Sequence, residues 1–155
     1  MLDKNLVSNR KEFEYELLEF AELQRIDGPT RFYVTPEGKR YPSVTTVLGK
    51  MTDKSALEAW KKRVGEDEAA RVSARASTRG TKVHTMCENY VLGHDVDMSM
   101  PHNIMIFNQI KKVLDEKVDM VRATECMLFS NHLKLAGSCD LIADYDGRLS
   151  IIDYK

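Results

Sequence analysis

Residues 135–155 read LAGSCDLIADYDGRLSIIDYK, and this stretch decides the predicted fold. Two apolar, β-prone runs, residues 139–145 and 148–154, flank the dipeptide Asp146-Gly147. Asp-Gly between two such runs is typical of a β-hairpin, because a type I′ turn needs positive φ at both of its central residues. The sequence therefore predicts two antiparallel strands joined by a two-residue turn.

A two-residue turn determines which residues face each other across the hairpin. Asp140 then lies opposite Asp153, and because side chains alternate between faces, both carboxylates and Lys155 project from one face. Like charges that face each other destabilise a sheet, and the apolar neighbours on both faces increase the cost by excluding water. A bound divalent cation would resolve this conflict, since hard cations bind paired carboxylates. The alternative is a structural pair of acids, each with its own basic or backbone partner.

Length and composition indicate an ordinary globular protein. The chain has 155 residues and is 43% hydrophobic and 30% charged, so it can bury a core within one domain. No apolar run has the length of a membrane span, and we expect no membrane partner. The three cysteines form no C-x-x-C pair, which argues against a zinc knuckle or a disulfide framework and favours a reducing compartment: Cys87, Cys126 and Cys139.

The net charge of −1 hides an uneven distribution of charge along the chain. Residues 31–82 carry twelve basic and six acidic side chains, whereas residues 83–155 carry seven basic and eleven acidic ones. A basic middle segment followed by an acid-rich end is typical of a protein that attracts a polyanion. The alternative is that the basic residues are only the solvated faces of helices.

The N-terminal third is predicted to contain a helix and a small hairpin. Apolar residues recur at helical spacing over residues 3–24, and Asp27-Gly28-Pro29 would end that helix. Strands at residues 30–34 and 39–41 are expected to form a hairpin around a turn rich in proline and glycine. Ser43 is well placed to cap a short helix, either as a plain cap or as part of an anion site at the helix N-terminus.

The rest of the chain is predicted to alternate between helices and strands. Helices are expected over residues 54–64 (capped by Asp53), 66–76, from Gly80-Thr81 to about Leu92, and over 103–115, and a strand is expected over 118–129.

Three stretches together resemble the PD-(D/E)xK nuclease superfamily, in particular its RecB-like exonuclease branch. The C-terminal stretch contains G-x-x-D, ending at Asp140, and then D-Y-K at residues 153–155. Residues 80–88 contain G-T-x-x-H-x-x-x-E, which resembles the first motif of this branch. The YPSVT stretch at residues 41–45 resembles a segment of the phage and mitochondrial genome maintenance exonucleases within the same branch. The resemblance implies a mixed α/β, restriction-endonuclease-like core, in which a central mixed sheet with an acid-bearing hairpin is flanked by helices.

The same resemblance implies a metal site that uses Mg²⁺ or Mn²⁺. Asp140 and Asp153 would bind the ion through carboxylate oxygens, His84 would add a nitrogen, and Tyr154 would add its backbone carbonyl. Lys155 would orient the attacking water or stabilise charge on the phosphorus, and a nearby metal and desolvation would both lower its pKa.

Two further acids are candidates for the catalytic site. Glu88 lies four residues after His84, so the two side chains share one helix face. Glu125 lies on the strand ahead of the hairpin, where family members often carry a glutamate. It would support the residues that bind the metal or contact a water on the metal, and a plain salt bridge within the strand is the alternative.

The function implied by the resemblance is that of a metal-dependent DNA exonuclease acting on single strands or free ends, in DNA maintenance, recombination or repair. The alternatives are a structure-specific endonuclease, a catalytically silent nucleic-acid-binding module, and a structural partner protein. The expected location is the cytoplasm of a bacterial or phage-infected cell, with the mitochondrial matrix as the alternative. The residues expected to contact DNA are Ser43, Thr45, Lys61, Lys62, Arg71, Arg75, Arg79, Gly80, Thr81 and Lys82.

Residues 1–155 are expected to form one nuclease domain. Its parts would be an N-terminal helix in residues 1–29, a DNA-binding segment in 30–82 and a catalytic core in 83–155. Members of the family usually continue beyond the lysine of the D-x-K motif, whereas this sequence ends on Lys155. The core is therefore expected to be incomplete at its C-terminal end and to need a further segment or a partner chain. Activity of the chain as it stands is an open question.

Overall fold

The computed structural model describes residues 10–155. In chain order the elements are β1 (Glu14–Tyr15), β2 (Gln24–Ile26), β3 (Phe32–Val34), β4 (Arg40–Pro42), α1 (Val44–Met51), α2 (Ser55–Val64), α3 (Glu66–Val91), α4 (Pro101–Lys117), β5 (Val118–Ser130), β6 (Leu135–Tyr145) and β7 (Arg148–Ile152).

The centre of the fold is a mixed sheet with the strand order β1-β5-β6-β7. Strand β1 pairs parallel to β5, and the other neighbours are antiparallel. Helices α3 and α4 pack their apolar side chains against this sheet, and the resulting core includes Cys87, Phe107 and Leu141. The predicted mixed α/β fold, with a central sheet flanked by helices, is confirmed.

A second sheet with the order β2-β3-β4 packs against the far half of the β5–β6 hairpin. Leu23, Tyr33 and Tyr41 of this sheet region form an apolar cluster with Ala136 of β6. The predicted hairpin of β3 and β4 is therefore present, and it carries a third strand, β2.

The β6–β7 hairpin has the predicted register. Leu141 pairs with Ile152, and Tyr145 pairs with Arg148 on either side of the turn. Asp146 and Gly147 have φ values of 47° and 73°, as a type I′ turn requires.

The predicted helix over residues 3–24 is wrong for its described part, which is extended and contains β1 and β2. Phe13 packs in the main core, whereas Leu23 belongs to the separate cluster under the small sheet. The backbone of this segment bonds to β5 through the N–H groups of Glu16 and Leu18, which satisfies donors that a helix would pair internally. Residues 3–9 lie outside the described part of the chain.

The two helices predicted over residues 66–76 and from Gly80 to Leu92 are one continuous helix, α3. Gly80 and Thr81 thus lie inside a helix, where their backbone N–H groups are used within it, rather than at a helix N-terminus. Glycine inside a helix costs only about 1 kcal/mol, which the buried C-terminal half of α3 offsets through packing. None of the helices described between residues 10 and 155 combines the length and apolarity needed to cross a membrane.

Candidate functional site

Three acidic residues lie side by side across the central sheet. The ladder pairs Thr124 with Leu141 and Cys126 with Cys139, which places Glu125 at the position facing Asp140. On the other side of β6 the ladder ends with Leu141 and Ile152, and Asp153 follows directly. Asp140 on the central strand is therefore flanked by Glu125 and by Asp153, with the second neighbour as predicted from the turn.

Asp140 is the most enclosed of these acids, with a side chain that is 14% exposed. Its Oδ2 accepts a hydrogen bond from the backbone N–H of Tyr154 at 2.7 Å, and its Oδ1 lies 3.3 Å from Nδ1 of His84. The histidine ring also packs edge-on against the ring of Tyr154, with 5.7 Å between ring centroids. Helix α3 and the chain after β7 thus meet at this carboxylate.

Asp153 and Lys155 form an ion pair of 2.7 Å at the surface. The hydrogen bond from Lys155 lowers the pKa of Asp153, and the same bond raises the pKa of Lys155, which is 85% exposed. Without a metal the lysine is solvated and paired with an acid, which raises its pKa, and the lowering of its pKa by a bound metal stays a prediction. Tyr154 between them is buried in the core and anchors this segment.

Glu125 has an unusual backbone conformation, with a φ of 48° in the middle of a strand. Non-glycine residues rarely adopt this left-handed region, and such outliers concentrate at functional sites. Desolvation, followed by the negative charges of Glu88 and Asp140, raises the pKa of Glu125. This carboxyl therefore holds a proton more readily than an ordinary glutamate.

An open cleft of about 830 Å³ lies between helix α3 and the strands that carry Glu125 and Asp140. The spacing of four residues does place His84 and Glu88 on the same face, as predicted. The other residues of the cleft include two arginines that the sequence analysis did not select, and the full set is Arg25, Arg31, Gly80, Thr81, His84, Thr85, Glu88, Glu125 and Asp140.

A second groove, of about 250 Å³, adjoins the cleft through Arg31. Thr45, Asp153 and Lys155 line it together with Ser43. Ser43 is buried and caps α1, since its Oγ accepts the N–H of Thr46 at 3.0 Å. The serine thus acts as a helix cap, which is the first of the two roles considered from the sequence. The hydroxyl of Thr45 is more accessible to a ligand than that of Ser43.

The predicted DNA-contacting residues divide into two groups. Arg79 lines a small pocket with His84 and Lys155 at the edge of the site, and it bonds to His102 at 2.7 Å. Ser43 and Thr45 line the groove, and Gly80 and Thr81 line the cleft. The remaining basic residues lie on α2 and α3 outside both depressions, and Arg71 is already paired with Glu68 within α3. These distant residues are Lys61, Lys62, Arg71, Arg75 and Lys82.

The donors at the site suit a hard cation in kind, because they are carboxylate oxygens with one imidazole nitrogen. They are not gathered into a metal centre, however. Among residues 10–155 no three histidine, cysteine, aspartate or glutamate side chains are arranged closely enough to hold an ion. Asp140 and Asp153 instead each have their own partner, as in the structural alternative raised from the sequence.

Comparison with known proteins gives weak and partial similarity to one exonuclease. The chain is 29% identical over 123 residues to human "Mitochondrial genome maintenance exonuclease 1", covering 74% of this chain and 36% of the relative. It is 25% identical over 156 residues to the protein of the same name from Xenopus tropicalis, covering 95% of this chain and 44% of the relative. The chain thus spans less than half the length of these curated relatives. No family model matches it.

Proposed function

We propose that this chain is a metal-dependent deoxyribonuclease of the exonuclease type, which hydrolyses phosphodiester bonds of single-stranded DNA or of free DNA ends. The observation that carries the proposal is the row of Glu125, Asp140 and Asp153 beside His84, of which Asp153 lines the groove and the other three line the adjoining open cleft. The similarity to a genome maintenance exonuclease supports the same class of reaction. The names of these relatives support a role in genome maintenance and the mitochondrial alternative for the location, whereas the bacterial or phage-infected cytoplasm remains the expectation from the sequence.

The carboxylates of Asp140 and Asp153, the imidazole of His84 and the carbonyl of Tyr154 would hold Mg²⁺ or Mn²⁺ only after Asp153 turns from Lys155 and the donors move closer together. When bound, such an ion lowers the pKa of a water molecule and polarises the phosphate. The unequal environments of the acids assign them different tasks. The ammonium of Lys155 lowers the pKa of Asp153, which favours the ionised form that an anionic ligand needs.

Glu125 has the complementary property among these acids. Because its pKa is raised, its carboxyl can hold a proton and release it to a group in the cleft, as a general acid or base must. Lys155 is exposed, so its ammonium can turn from Asp153 towards a phosphate oxygen and offset the charge that develops there.

The proposal is tested with end-labelled single-stranded DNA in the presence of Mg²⁺, Mn²⁺ or EDTA. We expect label release that needs the metal and falls by at least about 10³-fold in Asp140→Asn and Asp153→Asn. Asp95→Asn, which removes an exposed acid outside the cleft, is the matched control and keeps full activity. Cleavage that persists in EDTA, or that survives loss of Asp140, would contradict the proposal.

A specific observation favours a second candidate, a nucleic-acid-binding module without catalysis. Asp140 and Asp153 are satisfied by His84, Tyr154 and Lys155 without any ion. Such a module binds DNA equally well after both aspartates are replaced and never releases label. The same two variants, measured for binding and for cleavage, therefore separate the candidates.

A further inference from the structure

Two arginines line the cleft that also contains the acids. Arg25 lies in the short strand β2, and Arg31 directly precedes β3 in the small sheet. Their side chains are 41% and 38% exposed, so both guanidinium groups are accessible from solvent. They come from the segment in which a helix and a separate hairpin were predicted, and no sequence motif marks them.

One carboxylate holds both arginines. Asp27 accepts the Nε–H of Arg31 at 2.7 Å and the Nε–H of Arg25 at 3.0 Å. These two hydrogen bonds lower the pKa of Asp27, with the bond from Arg31 as the larger cause. Two cations share one anion, so the cluster keeps a net positive charge.

The arginines use only their Nε atoms for this contact. Within the described part of the chain, the terminal Nη groups of Arg25 and Arg31 form no hydrogen bond with protein. The outer fork of a guanidinium matches two oxygens of one phosphate, and this bidentate contact is what distinguishes arginine from lysine. Each side chain is thus oriented by Asp27 and retains its phosphate-binding edge.

The support beneath these side chains is rigid. Arg25 pairs with Tyr33 in the β2–β3 ladder, and Tyr33 is 1% exposed. The backbone carbonyl of Arg31 accepts the N–H of Ser43 at 3.0 Å and the hydroxyl of Thr46. Such anchoring reduces the entropy lost on binding, because little remains to be ordered.

We infer that Arg25 and Arg31, joined by Asp27, form a subsite for the sugar-phosphate backbone of a nucleic acid strand. The acids in the cleft would repel a phosphodiester, and the arginine pair offsets that repulsion within the same cleft. Arg31 also lines the adjoining groove beside Thr45, so the subsite lies where the two depressions meet. The inference rests on the proposed function, since the nuclease reaction requires the strand to lie in this cleft.

The test is binding of labelled single-stranded DNA in EDTA, measured by fluorescence anisotropy at several salt concentrations. Each phosphate contact on a single strand contributes about 0.7 to the slope of log affinity against log salt. We expect the double variant Arg25→Gln, Arg31→Gln to lower that slope by about 1.4 and to weaken binding by roughly tenfold or more per arginine. Glutamine keeps an amide that can still bond to Asp27, and thermal melting verifies the fold.

Two controls separate a built subsite from general positive charge. Arg148→Gln removes an exposed arginine at the hairpin turn, far from the cleft, and is expected to leave the affinity within about twofold and the slope unchanged. Arg31→Lys keeps the charge without the fork, so it is expected to retain the slope and still lose affinity. The subsite is refuted if the double glutamine variant binds DNA as well as the unmodified protein does, or if its loss of affinity is no larger than that of Arg148→Gln.

Because EDTA prevents cleavage, this experiment does not depend on catalysis. Loss of binding in the arginine variants of a protein that never cuts DNA supports the subsite while refuting the nuclease. Cleavage with unchanged KM in those variants supports the nuclease while refuting the subsite.

Discussion

The left-handed backbone at Glu125 permits a test that separates strain from chemistry. In an ordinary strand, glycine is less stable than alanine by about 0.5–1 kcal/mol, because it loses more conformational entropy on folding. At a φ of 48°, however, any residue with a Cβ carries a penalty of about 1–2 kcal/mol that glycine avoids. The two effects oppose each other, and the difference favours glycine by roughly 0.5–1 kcal/mol.

We therefore expect Glu125→Gly to be more stable than Glu125→Ala, with both variants having lost the same carboxylate. Urea denaturation followed by circular dichroism measures the difference, and identical m-values would show that the unfolded states are comparable. Ser138, an exposed residue on the neighbouring strand without positive φ, is the matched control. There the order is reversed, and Ser138→Gly is less stable than Ser138→Ala.

Activity is measured on the same variants. If Glu125 contributes to catalysis, cleavage falls equally in the glycine and alanine variants, although their stabilities differ. An alanine variant as stable as the glycine variant would refute the strain argument. Full activity in both variants would refute a catalytic role for this residue.

Three other predictions follow from the site and its surroundings. Because the pKa of Glu125 is raised in the folded state, the stability that its protonated carboxyl contributes is lost as pH rises. Glu125→Gln is therefore expected to raise the free energy of unfolding more at pH 7 than at pH 4, as measured by urea denaturation at both pH values. Cys87 is fully buried, and burial raises the pKa of its thiol to about 12. Iodoacetamide at pH 8 is therefore expected to alkylate this thiol roughly 10³-fold more slowly in the folded protein than in urea, and rapid labelling of the folded protein would contradict the packing. Mg²⁺ or Mn²⁺ at a concentration of about 100 times its Kd is expected to raise the free energy of unfolding by about 2.7 kcal/mol, and Asp140→Asn is expected to abolish this gain. An equal gain in both proteins argues against metal binding by Asp140.

The C-terminal half of the fold could be predicted because its signals are local. A two-residue Asp146-Gly147 turn between apolar runs allows essentially one register, and that register brings Asp140 next to the D-Y-K segment. The helical spacing of His84 and Glu88 likewise determines that they share a face. No sequence pattern indicated that Glu125 has positive φ, a conformation that occurs within β5 at the position facing Asp140.

The N-terminal segment shows the opposite behaviour. Its apolar residues fit a helical period, yet Phe13 and Leu23 belong to two separate clusters, and the backbone between them bonds to β5. Packing against distant parts of the chain outweighs helix propensity, which contributes only tenths of a kcal/mol per residue.

The sequence by itself determined the hairpin, its register and the helix face that carries the histidine, because residues close along the chain control them. The tertiary structure alone decided that Arg25 and Arg31 meet at Asp27 and share a cleft with the acids. Those arginines and Asp140 are more than a hundred residues apart in sequence. Their proximity depends on the small sheet packing against the β5–β6 hairpin, a long-range contact between apolar surfaces that no local spacing encodes.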